Sequence, residues 1–351
     1  LRRFDFAVLA LSTLAINIAA GVGALVLGML GAGIWTLAAQ QLAISIGTLL
    51  VVAIRARWLP SLTWRWSAQR SFLTFSTSVV SWQALDFLNR QLDRAIIGGA
   101  IGLTALGLYA SGRRLNELLI DTTAGVLAYV AFPIFSAIQA DPARVRDAYL
   151  KAVSLLVFIS YPASFGLLTL APHLVPLALG PQWTEAVPIV QAFAVTGVIR
   201  AVGTMQAIVL RSMGKPAWWL AYLLLQNAAN VAVLFLVVRF GIYWTAVAIV
   251  AREYALWPVS LLMVQRLLKM TSSSYLGVIS RPLLASAAMV AAIFAVNRLL
   301  LAAGTGEVAF VAVDIVLGGG VYLATCLVTN GDGTREAFRV ISRVGLAKAD
   351  A

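Results

Sequence analysis

Runs of about twenty apolar residues recur along the whole chain, and no other feature restricts its fold so strongly. A helix needs about 20 such residues to cross the hydrocarbon core of a bilayer. Helices satisfy their own backbone hydrogen bonds there, so runs of this length are expected to be helical. We predict an all-α, polytopic transmembrane bundle of about ten helices. The predicted spans are residues 6–30, 34–54, 72–101, 105–135, 148–171, 185–213, 217–238, 244–266, 283–301 and 308–329.

The composition excludes a soluble domain. Hydrophobic residues make up 61% of the chain and charged residues 11%, with a mean hydropathy of +0.91. Soluble domains have about 45–50% apolar and about 25% charged residues. The single cysteine, Cys326, excludes a disulfide within the chain. The net charge of +12 would suggest a nucleic-acid partner in a soluble protein; here membrane topology explains it, and we predict no nucleic-acid partner.

Basic residues are concentrated in alternate connections between the predicted spans. Eighteen of the 26 Lys and Arg residues fall there. By the positive-inside rule, that side faces the cytoplasm and both ends of this chain lie there. The residues concerned are Arg2, Arg3, Arg55, Arg57, Arg65, Arg70, Arg144, Arg146, Lys151, Arg211, Lys215, Arg266, Lys269, Arg281, Arg335, Arg339, Arg343 and Lys348.

Charged residues also occur inside the spans, most densely in WQALDFLNRQLDRAIIGG, residues 82–99. An ionisable group at mid-bilayer costs about 2.5–3.5 kcal/mol on insertion scales, so such groups usually face partners or a watery cavity. Helical spacing places one set on a single face of the third span: Asp86, Asn89, Arg90 and Asp93, flanked by Arg94. The fourth span repeats the pattern with Arg113, Glu117 and Asp121, beside Arg114.

Two further arginines, Arg200 and Arg252, lie in other spans, the latter next to Glu253. One interpretation is that these charges only pair between helices, for example Asp86 or Asp93 with Arg113. The other is that they line a common water-filled lumen. Arginine binds phosphate oxygens bidentately, so such a lumen suits an anionic, sugar-like substrate. The lone His173, at the predicted outer surface, indicates no site, and we predict no catalytic residue and no metal site.

A short internal repeat relates two parts of the chain. GIWTLAA at residues 33–39 resembles GIYWTAVA at residues 241–248, and each opens a helix at the outer surface. The offset is 241 − 33 = 208 residues, which indicates a parallel duplication. The second copy begins near residue 72, so the first would begin about four helices before Leu1. We therefore expect the first lobe to be largely missing from this chain.

Longer stretches resemble a known family. They are LDFLNRQLDRAIIGGAIGLTALGLYASGRRL, AFPIFSAIQADPARVRDAYLKA, LALGPQWTEAVPIVQ and FDF followed by LGAGIWTLAAQQL. They are similar to the polysaccharide transporter branch of the multidrug/oligosaccharidyl-lipid/polysaccharide flippase superfamily, which includes O-antigen and exopolysaccharide flippases. The resemblance covers nearly the whole chain.

The resemblance implies a two-lobed flippase fold with most of the first lobe absent here. Residues 1–54 would be the last two helices of the N-terminal lobe and residues 72–266 the C-terminal six-helix lobe. Residues 55–71 would be an interfacial linker and residues 267–282 a cytoplasmic linker. An extra helix pair would occupy residues 283–329, followed by a cytoplasmic tail at residues 330–351.

The implied function is translocation of polyprenyl-diphosphate-linked oligosaccharide across the bacterial inner membrane, by alternating access. The substrate-binding lumen would comprise Arg90, Arg94, Arg113, Arg114, Arg200 and Arg252. Asp86, Asn89, Asp93, Glu117 and Asp121 would orient these arginines or carry a coupling proton. No cofactor is expected apart from a coupling ion, H⁺ or Na⁺. The expected partners are the lipid-linked substrate, membrane lipids and polysaccharide assembly machinery.

Two other functions are compatible with parts of the sequence. One is an ion-coupled small-molecule exporter on the same fold. The other is a membrane-embedded glycan polymerase or transferase, which would need a large outer loop or catalytic acids and histidines at a membrane surface. The outer loops predicted here are short, and the sequence contains one histidine. A transporter is therefore the preferred interpretation.

Overall fold

The computed structural model describes residues 6–56, 84, 87–88, 91–303 and 307–346, and this part of the chain is helical, without strands. Eight of its helices are long and apolar enough to cross a membrane, and α4, bent by 40° between residues 125 and 130, makes a ninth. The helices are α1 Phe6–Met29, α2 Trp35–Ala56, α3 residues 91–100, α4 Leu103–Ala137, α5 Pro142–Leu179, α6 Val187–Ser212, α7 Pro216–Val237, α8 Ile242–Leu268, α9 Ser272–Ala303 and α10 Glu307–Leu346.

This architecture confirms the predicted all-α transmembrane bundle. Nine of the ten predicted spans coincide with described helices. The remaining span, residues 72–101, lies mostly outside the described residues. Only its last part is described, as α3. Short 3-10 turns, Pro181–Ala186 and Val238–Phe240, precede α6 and α8.

Two helices begin earlier than the apolar runs alone predict. Helix α5 starts at Pro142 because the Asp141 side chain accepts hydrogen bonds from the N–H groups of Ala143 and Arg144, at 3.0 and 3.2 Å. Proline at the first helical position has no N–H to leave unpaired. Helix α9 starts at Ser272, where the Thr271 hydroxyl accepts from the Ser274 N–H at 3.4 Å. Residues 272–282 of the predicted linker therefore form the first turns of α9.

The chain divides into two compact units, Leu1–Phe75 and Ser76–Ala351. In the first unit, α1 and α2 form an antiparallel hairpin. Its turn contains Gly31 and Gly33, whose φ angles of +80° and +54° favour glycine. Most large apolar side chains of this hairpin are exposed, as expected for helices whose surroundings are lipid or other helices.

Helix α6 is the centre of the second unit and packs against α4, α5 and α8. It is apolar on most of its circumference, as expected for a helix surrounded by others. Helix α4 approaches it closely at Gly112, where an added Cβ would lie 3.2 Å from the backbone nitrogen of Val190. The α9–α10 pair packs on the opposite side, against α5.

Prolines inside α5 act as packing sites. A proline removes the N–H that would bond the carbonyl four residues earlier. In α5, Pro162 frees the carbonyl of Phe158, which accepts a hydrogen bond from the Tyr322 hydroxyl of α10 at 2.8 Å. Pro172 frees the carbonyl of Leu168, which accepts from the Gln191 amide of α6 at 3.1 Å. Side chains of neighbouring helices thus replace the missing backbone donors.

Candidate functional site

A buried carboxylate, Asp93 of α3, joins three helices of the second unit. It is 3% exposed. It accepts a hydrogen bond from the Tyr109 hydroxyl of α4 at 2.7 Å, forms an ion pair with Arg113 of α4, and accepts from the Asn230 amide of α7. These three side chains supply the hydrogen-bond donors that a buried carboxylate needs. We call Asp93, Tyr109, Arg113, Glu117 and Asn230 the Asp93 cluster.

Helical spacing on α4 explains three of the five residues of this cluster. Tyr109, Arg113 and Glu117 follow each other at intervals of four residues, so they share one face of the helix. The Arg113 Nε donates to Glu117 Oε1 at 3.0 Å, while its Nη1 donates to the Tyr109 hydroxyl at 2.8 Å. Arg113 therefore bonds two carboxylates, and the cluster has one more acid than base.

A second group of charges has the opposite balance. Arg252 and Glu253 of α8 lie beside Arg200 of α6, and we call these three residues the Arg252 cluster. The Glu253 carboxylate is 3.4 Å from Arg252 Nη2 and 3.9 Å from Arg200 Nε. Arg252 also donates to the backbone carbonyl of Gln226 on α7, at 3.2 Å, but its Nε has no partner among the described residues. Two guanidinium groups share one carboxylate here.

Asp93 and Arg113 of the first cluster and all three residues of the Arg252 cluster line one cavity of about 360 Å³ in the second unit. Its wall comes from α3, α4, α6, α7 and α8, and it contains the charged residues Asp93, Arg113, Arg200, Arg252 and Glu253. The Arg200 side chain is 30% exposed, much more than that of Arg252 at 8%. A guanidinium group is therefore accessible to an anion inside the membrane-spanning bundle.

The rest of the cavity wall combines aromatic, polar and aliphatic residues. It includes Trp219, Tyr222 and Trp257, together with the hydroxyl and amide side chains of Thr204, Gln206, Gln226 and Ser260. Aromatic faces offer flat apolar contacts beside hydrogen-bonding groups. Such a wall suits a ligand that carries both hydroxyl groups and apolar C–H surfaces.

The structure brings some of the sequence-predicted site residues together and leaves others apart. Asp93, Arg113, Glu117, Arg200 and Arg252 belong to the two clusters described above. Arg94, Arg114 and Asp121 are exposed on the surface of the second unit and do not line the cavity. The predicted residues Asp86, Asn89 and Arg90 lie outside the described residues.

Sequence reasoning missed Tyr109 and the aromatic wall. An aromatic residue in an apolar helix gives no signal of its own, although Tyr109 lies one turn before Arg113 and shares its face. No group of three or more His, Cys, Asp or Glu side chains in the described ranges could hold a metal ion. The groups that the two clusters offer for binding are guanidinium and carboxylate groups.

Comparison with known proteins gives relatives of one kind. A protein family described as "Polysaccharide biosynthesis protein" matches residues 1–188. The teichuronic acid biosynthesis protein TuaB of Bacillus subtilis (strain 168) is 26% identical over 253 residues, which cover 70% of this chain and 51% of that protein. The succinoglycan biosynthesis transport protein ExoT of Rhizobium meliloti (strain 1021) is 26% identical, covering 56% of this chain and 40% of that protein.

The lipopolysaccharide biosynthesis protein WzxC of Escherichia coli (strain K12) is 27% identical over 131 residues, 37% of this chain and 27% of that protein. The chain thus spans about half, or less, of the length of these curated relatives. Among solved structures, the lipid II flippase MurJ in an inward closed conformation has a similar fold. Its TM-score is 0.71 at 14% identity, covering 91% of this chain and 67% of that chain.

Proposed function

This chain belongs to the polysaccharide biosynthesis protein family, which matches more than half of it, and on that premise we propose that it takes part in moving a polyprenyl-diphosphate-linked oligosaccharide across the bacterial inner membrane. The observation that carries the proposal is the arginine-lined cavity inside a bundle of membrane-spanning helices. The arginine side chains of this cavity would bind the phosphate groups, which the hydrocarbon of the bilayer cannot do. The names of the relatives, a transport protein and a flippase among them, support the same class of function.

The two clusters have different proposed roles. Arg200 and Arg252 share one carboxylate and retain one excess positive charge, so they would contact the diphosphate or an acidic sugar. Arg113 is already bonded to two carboxylates, so it would orient the cavity wall and its neighbours. The aromatic wall would lie against the sugar rings. The lumen and orienting roles of Arg90, Arg94, Arg114, Asp86, Asn89 and Asp121 stay predictions from the sequence; Arg94, Arg114 and Asp121 would act from the exposed surface of the second unit, outside this cavity.

The proposed mechanism is alternating access between two lobes. Residues 1–54 would belong to the first lobe, residues 72–266 would form the second, and residues 283–329 the extra helix pair. Both ends of this chain would lie in the cytoplasm. The protein would act without enzymatic chemistry, in contact with membrane lipids and polysaccharide assembly machinery, and a coupling ion, H⁺ or Na⁺, would be its one further component.

A flipping assay on the complete gene product in vesicles tests the proposal. We expect Arg200→Ala and Arg252→Ala each to lower transport about tenfold or more at subsaturating substrate, because a charge-assisted hydrogen bond contributes roughly 1.5–3 kcal/mol. Arg200→Lys should be intermediate, since lysine keeps the charge but loses bidentate geometry. The control is Arg239→Ala, at a residue that lies outside the cavity and whose guanidinium packs on Phe240.

Unchanged transport in both alanine variants, with normal membrane levels, would rule out the proposed anion site. Transport of dyes in place of the lipid-linked glycan by the unmodified protein would instead favour the small-molecule exporter. In that case the arginine variants should leave dye transport largely intact, because a neutral apolar substrate needs no guanidinium.

A further inference from the structure

A second buried carboxylate, Asp314 of α10, does not line the arginine-lined cavity. Its exposure is 0%, and neither of its carboxylate oxygens has a hydrogen-bond partner among the described residues. It is the only acidic or basic residue in the predicted span 308–329. A buried charge in such surroundings is strongly disfavoured unless it is paired. Its presence therefore requires an explanation.

Asp314 lines a separate cavity of about 420 Å³ between α4, α5, α9 and α10. The other lining side chains are apolar and include Leu118, Leu170, Met289 and Ile293. No residue is shared with the arginine-lined cavity. No Lys or Arg from any of the four helices lines this cavity, so the Asp314 carboxylate has no basic neighbour within it.

Two polar side chains from neighbouring helices interact with Asp314: the Asn297 amide of α9 as a weak hydrogen-bonding neighbour, and His173 of α5 through its charge. The His173 ring packs against the Phe310 ring of α10, with 4.5 Å between centroids. Asn297 Oδ1 is itself buried without a donor. The two carboxylate oxygens of Asp314 and Oδ1 of Asn297 are thus three buried acceptor oxygens without a well-formed hydrogen bond among the described residues.

We propose that Asp314 is a proton-binding site, which holds a proton while the cavity is apolar and releases it when water enters between α9–α10 and α4–α5. A protonated carboxyl group is neutral, and its O–H supplies a donor to these buried acceptor oxygens. On release, the O–H bond of the carboxyl group breaks and the proton passes to an entering water molecule. Protonation of Asp314 would thereby be linked to how tightly α10 packs on α5.

Infrared spectroscopy of the purified protein in lipid nanodiscs tests this directly. At pH 7 we expect a carbonyl stretch of a protonated carboxylic acid that is present in the unmodified protein and lost in Asp314→Asn. Asn is neutral and nearly isosteric, so it should preserve the fold. The matched control, Asp147→Asn at an exposed carboxylate, should leave the band unchanged.

The competing arrangement is an ion pair between an ionised Asp314 and a protonated His173. It predicts no acid band in the unmodified protein and the appearance of one in His173→Phe, and that result would overturn the proposal. Asp314→Leu provides a second variant if Asp314→Asn folds poorly, since it also removes the acid band. Exchange of the band in D₂O should be slow in the unmodified protein, because the cavity is apolar; immediate exchange would contradict a dry site. These outcomes do not depend on which substrate the protein transports.

Discussion

At the scale of single residues, Asp93 shows how a charge is retained inside a membrane bundle. Its oxygens receive donors from two other helices, through Tyr109 and Arg113 of α4 and Asn230 of α7. Removing one partner of a buried ion pair leaves the other charge without compensation, which is more costly than losing an exposed pair. The same side chains that surround the proposed anion site therefore also hold α3, α4 and α7 together.

We expect Asp93→Ala to lower the free energy of unfolding in detergent by about 1–3 kcal/mol, because the Asn230 amide loses its acceptor while Arg113 keeps its ion pair with Glu117. Asp147→Ala, which breaks the exposed pair with Arg146, should cost no more than about 1 kcal/mol. Denaturant unfolding followed by circular dichroism measures both. Equal effects of the two substitutions would show that the Asp93 cluster does not stabilise the fold.

At the scale of elements, proline positions determine which helices are bonded to α5. Pro162 and Pro172 each free one carbonyl, and each carbonyl is bonded by a side chain from a different helix, Tyr322 of α10 or Gln191 of α6. The proline is therefore a site of interhelical recognition as well as a break in the hydrogen-bond ladder.

A double-mutant cycle tests the contact between α5 and α10. Tyr322→Phe should lower the free energy of unfolding by about 0.5–1.5 kcal/mol, because it removes the hydrogen bond from the Tyr322 hydroxyl to the Phe158 carbonyl. In a Pro162→Ala background the restored N–H of residue 162 can bond that carbonyl, so Tyr322→Phe should cost clearly less there. Additive effects of the two substitutions would indicate that the hydroxyl and the proline act independently.

At the scale of the whole molecule, the positions of basic residues determine a topology. Within the second unit, Arg144 and Arg146 lie in the first turn of α5, and Arg211 and Lys215 lie where α6 is followed by α7. The connection between α7 and α8 carries only Arg239. Cytoplasmic loops are those enriched in Lys and Arg, so α5 should run outward and α6 inward.

Cysteine labelling in intact cells checks this topology. The background is Cys326→Ser, since Cys326 is the natural cysteine of the chain and is buried. Glu185→Cys, between α5 and α6, should react with a membrane-impermeant maleimide without permeabilisation. Asp147→Cys, near the start of α5, should react only after permeabilisation. The reverse pattern would invert the proposed orientation, together with the cytoplasmic location of both chain ends.

Much of the candidate site was predictable because intramembrane charges are visible in an apolar sequence. The rule that identified Arg113, Arg200 and Arg252 applies equally to Asp314, the one charged residue of its predicted span, but it was not among the predicted site residues. Tyr109 and Trp257 could not be found in this way, because aromatic residues are common in membrane helices whether they face a cavity or lipid.

The sequence by itself determined the class of the protein, nearly all of its helices and the residue types of the anion site. Apolar run length and loop charge are local quantities, and both are set by the cost of moving residues between water and hydrocarbon. Only the tertiary structure decided which polar side chains meet: Asp93 with Arg113 and Asn230, Arg200 with Glu253, and Asp314 with Asn297 and His173. Those contacts depend on the rotation and close approach of helices that are distant in sequence, at positions such as Gly112 and Pro162. Periodicity along one helix does not contain that information, because it orders residues on a face without specifying which helix that face will meet.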